Sequence, residues 1–433
     1  MPRKVFISFL GISNYASTRY GTSTDIPTTL PETRFVQEAI ARKYCSKFGE
    51  EDRIFILTTE MALKNWEDGE HVNWKSKETK FHHGLEHQLV ELDLNCSISN
   101  VDVPSGENTD EIWRIFQITF DLLNEGDRVY FDITHGFRSL PMLSIVLLNY
   151  AKFLKGIIVE GIYYGAYENR AEQDGIEVAP IWDLTDFAKL QDWANNANVF
   201  LNTGNAFSLT EQIQGYEYRA IKEGLENFTN MTFGNRGMDI FEGKVMVGLK
   251  EALSKPINPS DPAYRALNPI LAKIKTQFDE YEDKSVFNGF LAARWCIQNG
   301  LVQQAATILE EFVISFVLVE IGYTTEMQNS SVRTFVSAAV TTSPDNFDKT
   351  RFHGLPAEFD MDIALEAINN LPNKKKLGKA LNQLKNSIRN DISHAGFRPN
   401  PRTFDSFKGS LVKRYNELRR YFKSSHDKDL PAL

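Results

Sequence analysis

The strongest constraint on the fold is the alternation of short apolar runs with helical periodicity across the first 200 residues. Lys4–Leu10, Arg53–Thr58, Ser97–Val103, Arg128–Ile133 and Gly156–Tyr164 are brief and rich in β-branched and aromatic residues. Between them lie amphipathic stretches over Thr33–Phe48, from near Gly84, over Thr109–Asn124 and over Pro141–Leu154. Strands alternating with helices predict a parallel, doubly wound sheet, because parallel neighbours need crossovers and helices cover both faces. Ligands of such sheets bind beyond the carboxyl ends of the strands. The polar Asn14–Leu30 stretch predicts a long loop or hairpin insertion.

After Asn205 the strand signals fade. Phe207–Phe228, Val245–Ser254, Ala263–Tyr281, Val286–Asn299, Val302–Ile321, Ile363–Asn370, Lys376–Ile392 and Pro401–Lys423 carry helical spacing. The Pro-rich stretch 254–262 predicts a hinge loop, and 341–360 an exposed loop. The expected organisation is an N-terminal Rossmann-like α/β domain over 1–203, a helical linker region over 204–284, and an all-α domain over 285–433. At 433 residues the chain is long enough to give each part a core. No apolar run approaches the roughly 20 residues that span a bilayer, and the strand-like N-terminus is unlike a signal peptide. Cys45, Cys96 and Cys296 offer neither a disulfide framework nor a zinc pattern. A cytoplasmic protein without membrane association is expected.

The net charge of −9 conceals an asymmetry: Leu371–Leu433 holds 15 Lys/Arg against 5 Asp/Glu, so this end carries +10 and the remainder −19. A basic end on an acidic body suits a polyanion, with a solvated helix face as the plainer reading. Within it stands Arg389-Asn-Asp-Ile-Ser-His394. Histidine moves protons near neutral pH, and arginine holds phosphate through a planar fork of donors. Together they suffice for a metal-free ribonuclease in which the RNA's own 2′-hydroxyl attacks and the arginine stabilises the charged phosphate. On a continuous helix the two would stand roughly 140° apart, so sharing a cleft requires the helix to end near His394, where Gly396 and Pro399 are stop signals. A histidine at a helix C-terminus is the plainer alternative.

The second constellation is Asp132-Ile-Thr-His-Gly-Phe-Arg-Ser-Leu-Pro141, at the carboxyl end of the fourth predicted strand. Gly136 allows close backbone approach to a ligand, Ser139 and Pro141 suit a helix start, and free amides there favour phosphate. Arg138 adds a charged fork, Thr134 and His135 further hydrogen-bonding groups. A hydrolase triad of Asp132, His135 and Ser139 lacks the nucleophile-elbow motif. A dinucleotide site lacks G-x-G-x-x-G.

The Asp-x-Thr-His-Gly-Phe-Arg-Ser-x-Pro turn on a Rossmann-like domain, followed by Arg389-Asn390-x-x-x-His394 on a helical one, resembles the CARF–HEPN ribonucleases of type III CRISPR systems, over essentially the whole chain. The resemblance implies a homodimer whose N-terminal domains bind a cyclic oligoadenylate across the two-fold axis. It implies that binding switches on a composite site cleaving single-stranded RNA, with no cofactor beyond that activator. Arg389 would clamp phosphate, His394 transfer protons and Asn390 support them, leaving a 2′,3′-cyclic phosphate. Thr134, His135, Gly136, Phe137, Arg138 and Ser139 would bind the activator. So would the turn after the first strand (Gly11, Ser13, Asn14) and the end of the second (Thr58, Thr59). A nucleotide-sensing regulator without nuclease activity is the alternative. A rival motif, His83-Gly-Leu-Glu86-His87, matches the H-x-x-E-H of inverzincin peptidases, with both histidines on one helical face. Gly84 weakens that helix, no downstream third ligand stands out, and no metal is expected. Glu310-Glu311, within Val302–Ile321, has the plain reading of a solvated face on a core helix.

Overall fold

The computed structural model describes residues 2–72, 79–136, 140–255, 262–389, 397, 400 and 402–433. Phe137, Arg138, Ser139, Asn390, His394 and most of the expected hinge at 254–262 lie outside the described residues. The chain divides into two compact units, Met1–Lys189 and Leu190–Leu433.

The first unit is built on β1 (Lys4–Phe9), β2 (Thr18–Gly21), β3 (Glu32–Thr33), α1 (Val36–Tyr44), β4 (Arg53–Thr58), α2 (Leu63–Trp66), β5 (Gly69–Val72), β6 (Thr79–His82), α3 (Leu85–Val90), β7 (Ser97–Asp102), α4 (Thr109–Asp121), β8 (Arg128–Asp132), α5 (Leu140–Lys155), β9 (Ile158–Gly165), β10 (Ala171–Gln173) and β11 (Ile176–Asp183). The main sheet runs β3-β2-β11-β9-β8-β1-β4-β7, with β10 paired to β11. Its central part, β9-β8-β1-β4-β7, is parallel throughout. These are the five predicted strands. Their runs are apolar because both faces are covered: Val5, Ile7 and Phe9 face a core shared with α4 and α5, while Phe6 and Leu10 face a core shared with α1 and α3. The strands missed by pattern are short or polar, except β11, which buries Val178, Ala179 and Ile181. β2 lies in the Asn14–Leu30 region and β3 just after it, β10 pairs antiparallel with β11, which itself lies between β2 and β9, and β5 and β6 pair as a separate hairpin.

The strand order fixes the place of a site. From β1 the chain lays β4 and β7 to one side, then returns to lay β8 and β9 on the other. The order therefore reverses between β1 and β8, and the loops leaving their carboxyl ends diverge to opposite faces of the sheet and open a crevice.

The second unit is helical. Helix α6 (Thr185–Thr203) begins before the division and buries Trp193, Ala197 and Phe200 in the helical core, so that core starts earlier than the expected boundary at 203. There follow α7 (Phe207–Gln212), α8 (Arg219–Phe233), α9 (Gly237–Glu242), α10 (Lys244–Ser254), α11 (Pro262–Arg265), α12 (Asn268–Lys275), α13 (Asn288–Gln298), α14 (Val302–Glu320), α15 (Ser330–Thr341), α16 (Met361–Asn369), α17 (Lys374–Gln383) and α18 (Phe404–His426). The predicted Phe207–Phe228 helix is broken at Gly215, whose φ is 107°. Helix α14 is central, packed against α13, α15, α17 and α18. Among the described residues it is the one helix long and apolar enough to cross a membrane, contrary to the expectation that no run approaches that length. It is a core helix here: 67% of its most apolar stretch is buried within the protein.

Candidate functional site

The crevice between β1 and β8 is lined by Gly11, Ser13, Tyr15, Thr59, Thr134, His135 and Gly136, over an apolar floor including Phe9, Leu10, Leu57 and Val103. Its shape begins with Asp132, the last residue of β8, which is fully buried. Asp132 accepts hydrogen bonds from Ser8 Oγ of β1 at 2.7 Å and from the Thr134 amide at 2.9 Å, as well as from the Thr134 hydroxyl. Thr134 Oγ1 in turn accepts from the Gly165 amide at 2.7 Å. The carboxylate thereby fastens the β8 turn to the strands beside it. Burial pushes its pKa up while these donors pull it back. Among the described residues Asp132 is engaged with Ser8 and Thr134, not with His135.

On the other wall, Asn65 Nδ2 donates to the carbonyls of both Gly11 and Ser13 at 2.9 Å. One amide on α2 thus holds the whole β1 turn. Gly136 has φ of 128°, a conformation that favours glycine. The rings of Tyr15 and His135 lie 4.7 Å apart, tilted 42° to each other, and make an aromatic wall. Burial draws the His135 pKa from 6.5 to about 4, so the ring is neutral at physiological pH. A neutral imidazole offers one donor and one acceptor, which suits the edge of a nucleobase better than a phosphate.

The expected ligand-edge residues therefore fall into three groups. Gly11, Ser13, Thr59, Thr134, His135 and Gly136 converge on the crevice. Thr58 is buried and hydrogen-bonded to Asn100 of β7, and Asn14 is exposed; neither lines it. Phe137, Arg138 and Ser139 lie outside the described residues. Tyr15 and Asn65 went unforeseen, because their partners are set by long-range packing.

In the helical unit, Arg389 ends a π-helical turn, Leu384–Arg389, that continues α17. The expectation of a continuous α-helix is corrected there, and such wide turns recur at functional sites. The guanidinium is half exposed and pairs with Glu310 of α14 at 3.3 Å. Glu310 was expected on a solvated face; its side chain is instead only 3% exposed. Burial pushes its pKa up, and Arg389 pulls it back down. Its second oxygen, Oε2, has no hydrogen-bond partner among the described residues. The neighbouring Glu311 does reach the surface, paired with Arg333 at 2.5 Å. The buried carboxylate orients the half-exposed guanidinium through one nitrogen, and among the described residues its other donors bond nothing else.

Comparison with known proteins places these features. Residues 5–168 match the family model for the CARF domain of the CRISPR system endoribonuclease Csx1. Residues 189–285 match that for the second domain of CRISPR-associated protein MJ1674. The chain is also similar to the CRISPR-associated protein MJ1674 of Methanocaldococcus jannaschii, with 27% identity over 199 residues, 45% of this chain and 30% of that protein. The chain thus spans less than a third of that relative's length. The N-terminal unit is a CARF domain, and its crevice lies within the matched region.

His135 provides a direct check of the crevice. The unfolded chain takes up a proton near pH 6.5, whereas the folded ring resists until about pH 4. The ring's contribution is therefore complete above pH 6.5 and is lost as pH falls towards 4, to a total of about 3 kcal/mol. Urea unfolding of wild type and His135→Phe at pH 7 and pH 4.5 should show a smaller acid loss in the variant; equal losses would mean that the ring is solvated.

Proposed function

We propose that this CARF-containing, CRISPR-associated chain is an endoribonuclease that binds a cyclic oligoadenylate in its N-terminal unit and then cleaves single-stranded RNA in its C-terminal unit without a metal. The observation that carries this reading is the β1–β8 crevice. It sits where the strand order reverses, inside the Csx1-type CARF match, with the Tyr15 and His135 rings as an aromatic wall for adenine and turn amides for phosphate. Arg138, on the same turn in sequence, supplies the charged fork.

Cleavage is assigned to Arg389 and His394. Glu310 holds the guanidinium of Arg389, which spreads its remaining N–H donors towards a phosphate. His394 takes or gives the proton as the 2′-hydroxyl attacks, and Asn390 supports the phosphate. No step needs a metal, so cleavage at saturating activator continues in EDTA. The basic Leu371–Leu433 end supplies the field that draws RNA in.

A second copy of the chain completes the assembly. Helix α5, which follows the Thr134–Gly136 turn, exposes Met142 (72%), Ile145 (41%), Val146 (54%) and Phe153 (85%). Their i, i+3, i+4 and i+11 spacing makes an apolar face that water would otherwise cover. Self-association through it brings two crevices together around one ring-shaped, symmetric ligand, and each chain supplies one Arg389–His394 pair to a composite site.

Two experiments test this reading. His394→Ala should lower RNA cleavage by about 10²–10⁴-fold and Arg389→Ala by about 10²–10³-fold, with circular dichroism unchanged. Near-normal turnover in either refutes the assignment, and a wild type that binds cyclic oligoadenylate without cleaving RNA is a sensor only. Separately, Phe153→Glu should shift sedimentation from dimer to monomer and abolish activator-dependent cleavage. A variant that remains dimeric places the interface elsewhere.

A further inference from the structure

We propose that Asp68, His83 and His87 form a binding site for one divalent transition-metal ion of the zinc class at the foot of the β5–β6 hairpin. The three ligand atoms lie within 4.8 Å of one another. Asp68 Oδ2 stands 3.0 Å from His83 Nδ1 and 3.4 Å from His87 Nδ1. Ligand atoms bound tetrahedrally at 2.0–2.1 Å are separated by about 3.3 Å, so two of the three edges already have coordination length. The rings are stacked 3.9 Å apart at 22°, with both Nδ1 atoms turned to the same oxygen.

The surroundings are those of a built site. Asp68 Oδ1 accepts from the Gly84 amide at 2.7 Å, while Oδ2 shares a 3.0 Å hydrogen bond with His83 Nδ1, whose proton an incoming ion would replace. His87 Nε2, the nitrogen turned away from the cluster, lies 3.4 Å from Glu91. Histidines that bind metal through one nitrogen commonly give the other N–H to a carboxylate, which fixes the tautomer. Gly84 is obligatory: a Cβ there would stand 2.1 Å from the Trp66 carbonyl oxygen. That backbone contact brings the segments on either side of the hairpin together and sets His83 beside Asp68.

This arrangement is not the helical peptidase motif. Gly84 is the N-cap of α3, so His83 precedes the helix. The third ligand, Asp68, lies upstream of the motif, immediately before β5, and not on a downstream helix. The side chains are 38–49% exposed, leaving an open coordination position towards solvent. A bound ion would staple the two segments that the hairpin otherwise separates, three residues from Asn65. The inference stands whether or not the chain cleaves RNA.

The full-length protein, stripped with a chelator and dialysed, should bind one zinc ion per chain in calorimetric titration with Zn²⁺. Zn²⁺, but not Mg²⁺, should raise its melting temperature, because magnesium favours all-oxygen sites. Asp68→Ala, His83→Ala and His87→Ala should each weaken binding by at least the roughly 10–100-fold that even an outer partner contributes. Cobalt substitution of the wild type should give the intense visible absorption of a low-coordinate site, a reading that needs no variant. Absence of stoichiometric zinc binding by the wild type, or full retention of it in His83→Ala, overturns the proposal.

Discussion

Much of the N-terminal unit depends on one buried carboxylate. Asp132 gives its charge no route to water, so its pKa rises and it must be met by donors. Ser8, on the neighbouring strand, and Thr134, two residues on, meet it. Because β1 and β8 are adjacent only where the strand order reverses, that cluster forms at the one place where the two following loops part. The same bonds that satisfy the carboxylate set Thr134, His135 and Gly136 against Gly11 and Ser13. Replacing Asp132 by an apolar residue would leave the Ser8 and Thr134 hydroxyls to be satisfied elsewhere and would free the turn.

The helical unit repeats the device in another form. Helix α14 is apolar on nearly every side, and Glu310 interrupts it in the core. A buried carboxylate beside one cation is poor evidence for stability, because desolvation offsets the attraction. Its value lies in direction: Arg389 comes from a segment 79 residues further on, and the pair fixes where that segment's charge points. In the proposed mechanism this keeps the guanidinium aimed at phosphate before RNA arrives, so less reorganisation opposes the transition state.

The parallel core was legible in the sequence because strands covered on both faces are continuous apolar runs. Val5, Phe6 and Ile7 all had to be buried, whichever way each pointed. Edge strands such as Ala171–Gln173 are exposed and carry no such signal. Helix α6 was missed because only Trp193, Ala197 and Phe200 are buried along its 19 residues. The crevice could be placed from the Thr134–Gly136 turn and the end of β1, both local in sequence. Asn65, Tyr15 and Asp68 belong to it or stand near it through contacts that no local pattern encodes. Glu310 was misjudged for the same reason: next to Glu311 it resembles half of a solvated pair, and the distant Arg389, with Lys385, offsets its burial.

The central claim is that occupation of the crevice governs chemistry in a different part of the chain. A ligand can do this only by binding the active state more tightly than the inactive one. The most direct measurement is the initial rate of cleavage of labelled single-stranded RNA by the wild type in EDTA, as cyclic tetra- or hexa-adenylate is titrated separately. The account predicts a low basal rate that rises to a plateau with one of the two rings, at the concentration where that ring is seen to bind. Cleavage that is equally fast without either ring, while binding is nonetheless measured, would contradict it.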